Sequence, residues 1–161
     1  MQAKARFLGH PIHQILIVLP LGLLVTAVVF DLVAAIGGNP VWDNIAYWLI
    51  GAGVIGGLLA APFGLIDWLA VPGATRAKRV GAIHGIGNVV VVVIFAWSWL
   101  LRRPNPMAPS GLAHALAYIG FIIAGVTGWL GGELVTRLGV GVDPNAHVDA
   151  PSSLSSRTAG V

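Results

Sequence analysis

VGAIHGIGNVVVVVIFAWSWLL, residues 80–101, decides the fold. The run contains no Asp, Glu, Lys or Arg, and it is long enough to cross a bilayer, whose roughly 30 Å hydrocarbon layer takes about 20 residues of helix. A helix of this length in water needs a polar face. Here Gly81, His84, Gly85 and Asn88 share one face, with Ser98 further along it. The run therefore reads as a membrane span with a narrow polar seam.

Three more runs read the same way, at 12–36, 44–71 and 112–135. Turn-forming residues separate the four: Gly37-Gly38-Asn39-Pro40, Pro72-Gly73, and Pro104-Asn105-Pro106 with Pro109. Short connections make neighbouring helices antiparallel, so the expected fold is all-α, an integral membrane antiparallel four-helix bundle over residues 1–142. Residues 143–161 are polar and Ser-rich and read as a disordered tail. The first run is longer than a signal-peptide core and is expected to be retained.

Composition agrees. Of the 161 residues 57% are hydrophobic and 9% charged, against roughly 25% charged in a soluble domain. Cysteine is absent, which excludes thiolate metal sites, disulfides and Cys-held iron–sulfur clusters. The net charge of +3 comes from basic residues flanking apolar runs, so no nucleic-acid partner is expected. Lys4, Arg6, Arg76, Lys78, Arg79, Arg137 and Arg157 fall on one side, Arg102 and Arg103 on the other. The positive-inside rule then puts both termini in the cytoplasm. Trp42, Trp48, Trp97 and Trp99 near one interface, and Trp68 and Trp129 near the other, read as aromatic belts.

His13 opens the first span and His84 the third, so both enter from the same side at similar depth. An ionisable residue inside a membrane is costly and points to function. His10, His13, Asp67, His84 and Glu133 all fall near that end, at least one from each helix. His13 and His84 are expected to face each other across the bundle axis, as imidazoles suited to haem iron or to Zn, Cu or non-haem Fe. Asp67 is expected to orient an imidazole from outside the ligand shell. Asn88, four residues after His84, pairs with it or bridges helices. Pro11 suits the first helical position, which gives His10 a capping role as an alternative to ligation. His114 lies at the far end with Asp31 near its level, an interfacial or proton-handling pair.

Small residues recur at helical spacing in two spans: Gly53, Gly57, Ala60 and Gly64, running to Asp67, and Gly125, Gly128 and Gly132. Such stripes let membrane helices approach closely. The alternative is that those at histidine depth, Gly64, Gly81, Gly85, Gly128, Gly131 and Gly132, leave room for a flat, bulky ligand.

Gly9-His10-Pro11-Ile12-His13 at the start of a first membrane helix resembles the bacterial membrane family DUF2231, a domain of unknown function. Phe30-Asp31, Gly64-Leu65-Ile66-Asp67, His84 with Asn88, Gly131-Gly132-Glu133-Leu134-Val135 and Gly139-Val140-Gly141-Val142 extend the likeness over most of the chain. The family's plan is similar to that of small membrane b-type cytochromes, and some relatives carry a Rieske-type domain, which this chain lacks. The resemblance thus implies redox work. The first expectation is haem b held by His13 and His84, with propionates near Arg76, Arg79 and Arg137. The role is electron transfer or support of a redox complex, as a carrier or binding subunit and not a stand-alone catalyst. The partners would be the lipid bilayer and a redox protein or a second copy of the chain. The alternatives are a Zn or Fe ion held by His10, His13, Asp67, His84 and Glu133, and a purely structural accessory subunit.

Overall fold

The computed structural model describes residues 1–155, and Arg157 with the end of the tail lies outside them. The chain opens with a two-residue hairpin, β1 (Arg6–Phe7) and β2 (His10–Pro11), paired antiparallel with Arg6 opposite Pro11 and Phe7 opposite His10. Leu8 and Gly9 turn it with φ of 50° and 89°. Positive φ at both central residues matches the right-handed twist of the strands. The helices follow: α1 (Ile12–Leu16), α2 (Val18–Gly37), α3 (Val41–Leu69), α4 (Arg76–Arg102) and α5 (Gly111–Thr136).

The first span is broken between α1 and α2 at Ile17. Pro20 explains the break, because its ring clashes with the carbonyl four residues back, at Leu16. Gly38 stops α2 in the left-handed region at φ 67°, donating its N–H to the Ala34 carbonyl at 2.8 Å, and Pro40 follows. Thr75 caps α4 by accepting from the Lys78 N–H, and Ser110 caps α5 by accepting from the Ala113 N–H. Residues 143–155 carry turns without helix or strand.

Counting α1 with α2, four helices among the described residues are long and apolar enough to cross a membrane, as expected. Side-chain exposure supports that environment. Val18, Leu21, Ile86, Ile122 and Trp129 are each more than half exposed. A water-soluble surface does not carry so much apolar area, whereas lipid solvates it. The closest packing is α2 on α3 and α4 on α5, two helical hairpins joined mainly through α3 and α4. Leu24, Ala27, Val28, Ile50, Val91 and Phe95 fill the core between them.

That core divides the bundle. On one side lies a cavity at the histidine end. On the other lies a buried polar network around Asp31.

Candidate functional site

The histidine end is built by two copies of one local arrangement. Gly64 on α3 leaves a notch, and a Cβ there would stand 2.8 Å from the His13 ring. The ring lies in that notch with Nδ1 at 3.0 Å from the Ala60 carbonyl oxygen, four residues before the glycine. Gly131 on α5 leaves the second notch, its Cβ position 3.0 Å from the His84 ring. Nδ1 of His84 is 2.8 Å from the Thr127 carbonyl oxygen, again four residues before the glycine. A carbonyl oxygen only accepts, so each Nδ1 carries a proton, and in the neutral ring each Nε2 then keeps its lone pair.

Asn88 holds His84 further. Its Nδ2 donates to the His84 carbonyl at 2.9 Å, and its Oδ1 accepts from Thr127 Oγ1 at 3.0 Å. The same Nδ2 stands 3.2 Å from Nε2 and 3.4 Å from Nδ1 of the ring. Near-equal distances to both nitrogens place the amide over the ring face, outside the in-plane direction of the Nε2 lone pair.

His13, His84, Asn88 and Asp67 line one largely apolar cavity of about 1210 Å³ that reaches the lipid-facing surface. Gly85, Gly128 and Gly132 line it too, and a Cβ at any of them meets nothing within 4 Å. The glycines thus divide by purpose. Gly53, Gly57, Gly64, Gly81 and Gly131 seat side chains, whereas Gly85, Gly128 and Gly132 border open space. Gly64→Leu and Gly131→Leu should therefore lower stability by about 1–3 kcal/mol, the usual cost of overpacking. Gly128→Leu should leave it unchanged. Thermal unfolding in detergent checks this, and equal effects at Gly64 and Gly128 would contradict the division.

Other residues singled out in the sequence go elsewhere. The Asp67 carboxylate does not orient an imidazole. Its Oδ1 accepts from the backbone N–H groups of Lys4 and Ala5 at 2.7 and 3.0 Å, tying the N-terminal segment over the cavity mouth. Glu133 turns away from the cavity to an ion pair with Arg76 at 2.7 Å. Its position beside Gly132 carries it about 100° around the helix. His10 is exposed, with Nε2 3.3 Å from Ser153 Oγ, because Pro11 ends the hairpin before the helix begins. The five-residue cluster thus reduces to His13, His84 and an Asp67 that is already engaged.

At the opposite end, Asp31 and Arg102 form a two-pronged ion pair, both bonds 2.7 Å, with neither side chain exposed. Arg102 Nε also donates to Ser98 Oγ at 3.3 Å, and Ser98 donates to the Ala113 carbonyl at 2.6 Å. His114 Nε2 is 2.8 Å from Asp43 Oδ1 and 3.9 Å from Asp31 Oδ1. Arg102 is therefore a buried partner and not a loop charge. Asp43 carries no functional signal in the sequence, because it sits in the first turn of α3, where an acid suits the helix dipole. Asp31, Asp43 and His114 offer three ligand atoms within 4.8 Å, the spacing of a metal site. However, both Asp31 oxygens already face the Arg102 guanidinium, so the protein supplies its own cation there.

Residues 9–144 match the family model described as "Predicted membrane protein (DUF2231)". The chain is also 34% identical over 92 residues to a UPF0060 membrane protein of Herpetosiphon aurantiacus, a match that covers 54% of this chain and 77% of the relative. No solved structure matches. The chain belongs to the DUF2231 family of membrane proteins.

Proposed function

We propose that this family member is a b-type haem-binding subunit of the bacterial inner membrane, with His13 and His84 as the two axial ligands. One observation carries the reading. Two imidazoles open into a single apolar cavity, and each has its Nδ1 proton committed to a backbone carbonyl, leaving Nε2 for a metal. Glycines border the open space, as a flat group needs. A haem held this way supplies reversible one-electron transfer between ferric and ferrous iron.

The residues have separate tasks. Ala60 and Thr127 fix ring tautomer and direction. Asn88 holds the His84 ring through its own backbone and through Thr127. The apolar walls keep water from the iron, and Arg79 and Arg137, at the same ends of α4 and α5, suit propionates. A bare Zn or Fe ion fits less well. Zn takes four ligands, and the carboxylates expected to complete the shell are engaged elsewhere.

The orientation that goes with this puts the histidine end at the cytoplasm. Burial of Arg102 strengthens it, since pairing with Asp31 takes one of the two basic residues out of the charge count at that end. Reporter fusions after Val142 and in the connection near Pro106 should then fall on opposite sides, the first cytoplasmic. Labelling of both from one side would remove the four-span topology. The function itself is tested by titrating purified protein with hemin. The reading expects saturation at one per chain, and an absence of saturable binding would refute it.

A further inference from the structure

The two hairpins correspond residue by residue. On their first helices the offset is 71: His13 and His84, Leu24 and Phe95, Ala27 and Ser98, Asp31 and Arg102. On their second helices it is 67: Gly53 and Gly120, Ala60 and Thr127, Gly64 and Gly131. The correspondence is one of contacts. His13 lies in the Gly64 notch as His84 lies in the Gly131 notch, and both rings use the carbonyl four residues earlier. Leu24 lies against Gly53 as Phe95 lies against Gly120, at 2.6 and 2.8 Å from a Cβ placed there. Two of the pairs at the offset of 71 also lie together across the hairpins. Leu24 and Phe95 share one core cluster, and Asp31 binds Arg102 directly.

We propose that the chain is a two-helix unit repeated in tandem. His13 and His84 are the same residue of the two copies, and they form one two-fold site that takes a single centre with two equivalent nitrogen ligands. Both hairpins start at the histidine end, so the repeats run parallel and their axis lies along the membrane normal. A centre on that axis would present equivalent faces to the two rings. A metalloporphyrin, with its two axial positions on opposite faces, has this symmetry. The opposite end has diverged. Identical units would set two like charges together there, whereas Asp31 and Arg102 make a pair that only unlike copies can bury.

The symmetric site deepens the haem reading, and the two can fail separately. The test is nitrogen NMR of full-length protein labelled with ¹⁵N-histidine in detergent, signals being assigned with His13→Gln and His84→Gln. Without ligand, both rings should show a protonated Nδ1 and a bare Nε2. Titration with hemin should remove both signals together, complete at one equivalent, while His10, His114 and His147 stay in place. If hemin leaves both unmoved but Zn²⁺ shifts both together at one equivalent, the two-fold site stands and the haem reading falls. Perturbation of one ring alone, opposite tautomers in the two rings, a second equivalent, or no response to either probe would overturn the two-fold site.

Discussion

Asp31→Asn is expected to destabilise the protein by about 3–5 kcal/mol, because it leaves the Arg102 guanidinium buried without its counter-charge. The substitution keeps side-chain shape, so the loss measures charge and not packing. Arg102→Met should cost a similar amount by stranding the carboxylate. The double variant Asp31→Leu with Arg102→Met should recover most of the loss, since replacing a buried pair by apolar groups of similar volume is often neutral or stabilising. Thermal unfolding of the three variants in one detergent gives the comparison. Additive losses in the double variant would mean that the two residues act independently, against the geometry. His114→Ala should cost far less, because His114 is partly exposed and reaches Asp31 only at 3.9 Å.

Much of this architecture is legible in the sequence. Length, hydropathy and turn residues give the four spans, because lipid allows backbone groups no partner outside a helix. His13 and His84 stand out for the same reason, as costly residues at matched depth. Asn88 follows from its spacing, and the notches were half visible as small-residue stripes. Three things were not legible. Asp67 reads as a partner for imidazole until the N-terminal hairpin is seen folding back onto it, a long-range contact without local signature. Arg102 reads as a topology charge because it stands beside Arg103 at the end of an apolar run. A signal was present nonetheless, since Arg102 lies as far past His84 as Asp31 lies past His13. Gly64 and Gly128 look alike in sequence, yet one seats a ring and the other borders open space, a difference fixed by helix phase.

His13→Ala and His84→Ala should each lower haem affinity more than about 100-fold, beyond the 10–100-fold typical when only an outer partner is lost. Asn88→Ala should fall within that lower range, since it loosens His84 without removing a ligand. His114→Ala should leave binding unchanged, as the apolar core separates it from the cavity.

The most direct measurement is the visible absorption spectrum of purified protein from cells supplied with haem, taken for the wild type, His13→Ala, His84→Ala and His114→Ala. A Soret band with sharp two-imidazole features in the wild type and in His114→Ala, lost in both other variants, is the expected result. A colourless wild type, or a band that survives in His13→Ala or His84→Ala, would contradict the account.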